Sequence, residues 1–203
     1  TYAANVNKLD LEIGKIIASI DSAGLLEETI IVFFSDNGPV FDIPAIGQVI
    51  APGLMEARGS PGKLTGSKMY ASEGGIRVPA RIWWKGVIEN SKTDQFFFVQ
   101  DLLPTLLSAT GIGIDKNIEF DGNYKWDNLL NGNLELPVND LVANRVINDE
   151  RALFNNEWKL YYSNPVMISG GAKYSLFNVM NDPYEQNDLS SSNVEIFEQM
   201  KIC

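Results

Sequence analysis

The sequence predicts an α/β domain followed by a small antiparallel sheet and a terminal helix, and three observations carry that reading. Val6, Leu9, Ile13, Ile16, Ile17 and Ile20 recur at spacings of three and four, the period of an amphipathic helix. Ile30 to Phe34 is an unbroken apolar run, and near the C-terminus short β-type runs alternate with clusters of Asn, Asp and Gly.

Taken in order, the first pattern predicts a helix over residues 3–22, stopped by Gly24. A short loop, Leu25 to Glu28, leads to a strand over 29–35 without polar alternation, which suits a strand covered on both faces in a parallel sheet between helices. The next stretch of about thirty residues is rich in Gly and Pro and has no clear period, so it reads as a long ordered loop, a kind that in compact domains is usually functional. "ARIWW" is a strand ended by Gly86, and residues 96–110 form a helix with Pro104 near its start and Gly111 as its stop. From Gly113 to Asn148 the periodicity weakens, which places a domain boundary there: 1–148 as the α/β part and 149–203 as a small α+β subdomain. Beyond it, "RALFNNEWKLYYSN" holds the Asn155-Asn156 pair of a hairpin, "KYSLFNV" a further strand, and residues 194–202 a final helix.

Composition narrows the chemistry. Sixteen Lys and Arg against 26 Asp and Glu give a net charge of −10, a poor match for nucleic acid or an anionic membrane surface. No apolar run reaches the length of about 20 residues that spans a bilayer. Cys203 is the sole cysteine, so no internal disulfide or Cys metal cluster forms. The chain has no histidine, which removes Ser-His-Asp hydrolysis and His-ligated zinc from this polypeptide. It also begins without Met inside a helical pattern, which predicts a fragment.

Two features then carry chemistry. "SDNGP" at Ser35 to Pro39 is turn composition, but it stands at the carboxyl end of a predicted strand, where α/β sheets gather ligands. Asp36 and Asn37 there offer hard oxygen donors suited to Ca²⁺ or Mg²⁺. Lys68 sits among glycines in a segment with few other charges, where a cation can meet an anionic substrate.

Together these pieces resemble the sulfatase family of the alkaline-phosphatase-like superfamily, and its arylsulfatase-type members in particular. "GLLEETIIVFFSDNGP" is similar to the family's strand with its Asp-Asn metal pair, and "GSKMYASEGGIRVPARIWWKG" to its lysine segment. "VQDLLPTLLSATGI", "DGNYKWDNLLNG" and "NEWKLYY" with "YSLFNVMNDPYEQNDL" match further family stretches in the same order, across almost the whole chain. The resemblance implies part of an alkaline-phosphatase-like sheet flanked by helices, then a small antiparallel sheet with a terminal helix. It implies a sulfuric ester hydrolase acting on a sulfate-ester small molecule or a sulfated glycan. Asp36 and Asn37 would hold Ca²⁺ in part, Lys68 would grip the sulfate, and Glu73 with Arg77 would form a structural pair beside it. A periplasmic or secreted location follows from the same kinship, and the chain has no Asn-x-Ser/Thr sequon.

The sequence departs from the family pattern where the nucleophile belongs. Sulfatases use a formylglycine made from a Cys/Ser-x-Pro-x-Arg motif; here Ser163 has Pro165 but Met167, and Ser60 lacks the Arg. Ser72 stands where the family often has an aromatic residue. The expectation is therefore an incomplete site that the isolated chain cannot run, completed by a missing N-terminal half that carries the formylglycine. Two other readings stay open at this point: a phosphodiester or phosphonate hydrolase of the same superfamily, and a non-catalytic binding module. The long loop from Val40 to Thr65 is the expected contributor to substrate selection, while Trp83, Trp84 and Trp158 are expected in the core.

Overall fold

The computed structural model describes residues 2–40, 59–113, 117–138, 140–144, 149–164 and 171–202. The chain divides into two compact units, Thr1–Lys85 with Val138–Cys203, and Gly86–Pro137. The stretch 41–58, expected to shape substrate selection, and Cys203 lie outside the described residues.

In the first unit, helix α1 spans Tyr2–Ser22, and the chain leaves it through Gly24 at φ 72°. Strand β1 (Ile30–Phe34) pairs antiparallel with β2 (Ala80–Trp84), Ile30 opposite Trp84 and Phe34 opposite Ala80. This corrects the parallel, doubly covered strand expected from the sequence, since Phe33 and Phe34 are exposed. An unbroken apolar run has no alternation, so it carries no information about the direction of its partner. Trp83 is exposed rather than in the core, whereas the Trp84 indole donates to the Glu27 carbonyl at 2.7 Å. A one-turn helix, α2 (Glu73–Ile76), precedes β2.

The same unit contains a four-stranded antiparallel sheet in the order β3 (Asp140–Asn144), β4 (Asp149–Asn155), β5 (Trp158–Asn164), β6 (Lys173–Asn178). Strand β3 falls in a stretch whose Asn and Asp content masked it in the sequence. The predicted hairpin forms with Asn155 opposite Trp158, and Asn156 takes the left-handed φ of 53° that Asn tolerates.

Register divides this sheet into two chemically different faces. Leu153, Leu160 and Leu176 lie level across three strands, and with Trp158 they pack against Ile196, Phe197 and Met200 of the terminal helix α5 (Val194–Ile202). The alternate residues Glu150, Ala152, Phe154, Lys159 and Tyr161 point the other way. One face is an ordinary apolar core; its reverse is charged and largely buried.

In the second unit, the helix predicted from residue 96 starts later. A 3₁₀ turn at Val99–Asp101 leads into α3 (Leu102–Thr110), because the Asp101 carboxylate accepts the Phe98 N–H at 2.9 Å and bends the chain there. Gly111, at φ 65°, ends it as predicted. A short helix the sequence reading missed, α4, covers Trp126–Asn131. Asp101 also accepts the Asn123 N–H at 2.8 Å, and the Thr105 hydroxyl accepts the Lys125 N–H at 3.0 Å. The Asp-x-x-Pro-Thr and Asp-Gly stretches are thus stitched to each other, which gives these residues a structural role.

Candidate functional site

The turn after β1 and the loop before β2 are held together by backbone bonds, and this contact defines the candidate site. The Gly38 N–H donates to the Gly75 carbonyl at 2.7 Å, and the Lys68 N–H donates to the Pro39 carbonyl at 2.9 Å. A further bond, Ser35 N–H to the Pro79 carbonyl at 3.3 Å, continues the β1–β2 pairing up to the turn. Two sequence motifs about thirty residues apart are thereby one object, a scale on which loops usually serve function.

Glycine is obligatory at both residues of the first contact, at Gly38 against the loop and at Gly75 within it. A Cβ on Gly38 would stand 1.9 Å from the Gly74 carbonyl oxygen, and one on Gly75 would stand 2.1 Å from that of Tyr70. No side chain allows the turn and loop to approach so closely. Next to Lys68, Met69 takes φ 82°, a conformation non-glycine residues adopt at a cost of order 1–3 kcal/mol and one that clusters at functional sites.

Asp36 is exposed, Asn37 and Lys68 are half-buried. The Asn37 side-chain nitrogen donates to the Gly38 carbonyl at 2.8 Å, which leaves its Oδ1 as the atom available to a cation. Among the described residues no group of three or more His, Cys, Asp or Glu forms a metal-binding cluster. Asp36 and Asn37 therefore fit a hard cation as a partial ligand set, two oxygens against the six or so that Ca²⁺ takes. A cavity of about 480 Å³ opens nearby, lined in part by Tyr70, Ser72, Tyr161, Ser163, Ser175 and Phe177. Asp36, Asn37 and Lys68 do not line it, so the site is assigned from the backbone ties rather than from the cavity.

Behind the loop, the charged face of the terminal sheet holds a group of residues whose role the sequence did not reveal. Lys159, fully buried, donates to Glu73 at 2.9 Å and pairs with Glu185 at 2.7 Å; both carboxylates are buried too. The other oxygen of Glu73 meets Arg77 at 2.8 Å, the structural pair expected from the sequence. The Glu73 N–H donates to Glu185 at 2.9 Å and the Ala71 N–H to Glu150 at 2.9 Å. Burial pushes the Glu185 carboxyl above the usual range, against the pull of Lys159. Burial also raises the Tyr161 hydroxyl, reinforced by neighbouring Glu150. Trp-Lys-Leu and Asp-Pro-x-Glu were visible as motifs, but not what Lys159 and Glu185 reach.

A family model described as Sulfatase matches residues 1–112, more than half of the 203 in the chain. The chain belongs to the sulfatase family. The sulfatase chain is 33% identical over 121 residues to arylsulfatase A of Homo sapiens, covering 60% of itself and 22% of that protein. To the N-acetylgalactosamine-6-O-sulfatase of Bacteroides thetaiotaomicron it is 23% identical over 202 residues, covering 95% of itself and 39% of the relative. It superposes on Ps i-CgsB, solved in complex with k-i-k-neocarrahexaose, with a TM-score of 0.78 at 25% identity over 98% of itself and 40% of that chain. These likenesses bear out the α/β fold with its small antiparallel sheet and terminal helix. Across these relatives the sulfatase chain spans between 22% and 40% of their length.

Proposed function

We propose that this chain carries part of a site that hydrolyses sulfate esters, with Lys68 contacting the sulfate and Asp36 and Asn37 supplying two of the ligands of a Ca²⁺ ion. The observation that carries the reading is the pair of backbone bonds, Gly38 to Gly75 and Lys68 to Pro39, which join the two sulfatase-like motifs into one surface. Membership of the sulfatase family favours a sulfate over a phosphodiester substrate.

The chemistry follows from charge. Hydrolysis adds water across the ester, breaking the bond to the leaving oxygen and returning a proton to the alcohol, while negative charge shifts onto that oxygen. The Lys68 ammonium would neutralise such charge, and the glycine-dependent packing of turn and loop supports its main chain. Bound Ca²⁺ would add Lewis-acid neutralisation of the same oxygens. Asp36 and Asn37 hold and orient; neither attacks. No residue of this chain matches the formylglycine motif, so we propose that the nucleophile and the remaining metal ligands come from further sulfatase sequence. The apolar residues that α1 and β1 leave exposed support that reading, since such sequence would cover them.

The substrate class we propose is a sulfated sugar. Its support is that relatives matched over almost the whole chain are named as N-acetylgalactosamine-6-sulfatases, in Bacteroides thetaiotaomicron and in Homo sapiens. The test compares two proteins with a chromogenic aryl sulfate and a 6-sulfated N-acetylgalactosamine in Ca²⁺ buffer. The 203-residue chain is expected to give no turnover. A longer protein that includes a Cys/Ser-x-Pro-x-Arg segment is expected to turn over, and to lose about 10²–10³-fold in kcat on Lys68→Ala. Turnover by the short chain, or an unaffected Lys68→Ala variant, would contradict the proposal.

A further inference from the structure

Glu73 is held by a closed ring of two hydrogen bonds and one ion pair. Its side chain accepts from Lys159 at 2.9 Å, Lys159 reaches Glu185 at 2.7 Å, and Glu185 accepts the backbone N–H of Glu73 itself at 2.9 Å. The ring therefore fixes both the side chain and the main chain of one residue, the first of helix α2. All three members are almost wholly inaccessible, with residue exposures of 0% for Lys159, 3% for Glu73 and 8% for Glu185. A buried ammonium is tolerated only with such pairing. The Phe154 ring centroid lies 5.1 Å from the Lys159 nitrogen, a cation–π distance.

Glu185 is brought to this place by its own turn. The Asp182 carboxylate accepts the N–H groups of Gln186 and Asn187 at 2.8 Å each, and Glu185 takes the uncommon φ of 55°. The Thr65 hydroxyl donates to the Tyr184 carbonyl at 2.7 Å, so the same turn also grips the start of the Lys68 loop. With Glu150 on the Ala71 N–H, the loop is fixed on both sides of Lys68 by groups of the terminal subdomain. The loop also meets the metal-pair turn, through Gly38 and Pro39.

We infer that Lys159 and Glu185 are positioning residues for the candidate sulfate site: the terminal sheet, through their ring with Glu73, sets the place of Lys68 and, through Gly75, of the Asp36–Asn37 turn. This rests on the reading of Lys68 as the sulfate contact. The ring makes the terminal subdomain a working part of the site, although neither residue touches substrate.

Amide hydrogen exchange on the full 203-residue chain tests it without sulfate or metal, so the result is separate from whether Lys68 binds sulfate. Lys159→Met leaves two buried carboxylates facing each other; Lys159→Met/Glu185→Gln removes that repulsion and keeps the ring open should the single variant fail to fold. In a folded variant, exchange at Glu73, Gly74 and Gly75 is expected to rise roughly 10²- to 10³-fold, the scale of losing a buried ion-pair partner. The Lys68 and Gly38 amides are expected to follow, whereas Leu176→Ala, which loosens the opposite face of the sheet and leaves the ring intact, is expected to raise exchange at Leu160 and leave Lys68 and Gly38 unchanged. A rise confined to Glu73–Gly75 in the ring variants, or an equal rise at Lys68 and Gly38 in Leu176→Ala, would overturn the inference, because the ring would then act locally or only through global stability.

Discussion

The terminal sheet and the α1–β1–β2 layer belong to one unit but are finished to different degrees. Both faces of the sheet are covered from within the chain, one by α5 and the other by the Lys68 loop with its ion pairs. Helix α1 buries none of its residues, and Val6, Leu9 and Ile16 are 48%, 50% and 61% exposed. An apolar pattern in sequence thus marks a surface made to be covered, and only the sheet finds its cover among the described residues.

That contrast can be broken most easily at Lys159. Replacing it with Met is expected to cost about 3–5 kcal/mol, since two buried carboxylates lose their shared cation. Urea unfolding followed by tryptophan fluorescence reads this, and a loss under about 1 kcal/mol would show that the ring is solvated. Leu176→Ala, on the other face, is expected to cost about 2–5 kcal/mol through the cavity it leaves. The same unfolding assay applies, and similar costs on the two faces would mean that charge and apolar packing hold the sheet comparably.

A smaller effect comes from protons. Burial raises the Glu185 carboxyl above its unfolded value, so between those two values the folded state keeps a proton the unfolded state has lost. Its contribution to stability is full below the unfolded value and falls as pH rises through the folded one. Unfolding free energies measured in steps from about pH 4 to pH 8 should show the parent losing stability relative to Glu185→Gln as pH rises. Parallel profiles would mean that Glu185 keeps an ordinary carboxylate pKa. The smallest effect belongs to the open face, where Ile16→Ser is expected to change stability by about 0.5 kcal/mol or less. A larger loss would mean that α1 is covered in solution.

How much the sequence revealed divides along the same line. Asp36, Asn37 and Lys68 were legible because each lies in a local motif, and the joining of their segments depends on glycines that the sequence displays. The ring was not legible, since its bonds join residues 86 and 112 positions apart and no local spacing encodes them. Strand β3 escaped because polar residues hid its alternation. The antiparallel pairing of β1 escaped for the opposite reason, because every position of β1 is apolar. Helix α5 was read with its observed limits, since its charged and apolar residues alternate at helical spacing and it follows a clear turn.

The candidate site itself is best tested by watching Lys68 directly. In the chain grown with ¹³C-labelled lysine, titration with inorganic sulfate in the presence of Ca²⁺ should move the Lys68 side-chain resonance, with an affinity of roughly millimolar order for so partial a site. Ca²⁺ alone should move the Asp36 and Asn37 amides. A Lys68 resonance that stays still, or that moves no more than those of the exposed Lys8 and Lys15, would contradict its assignment as the sulfate contact.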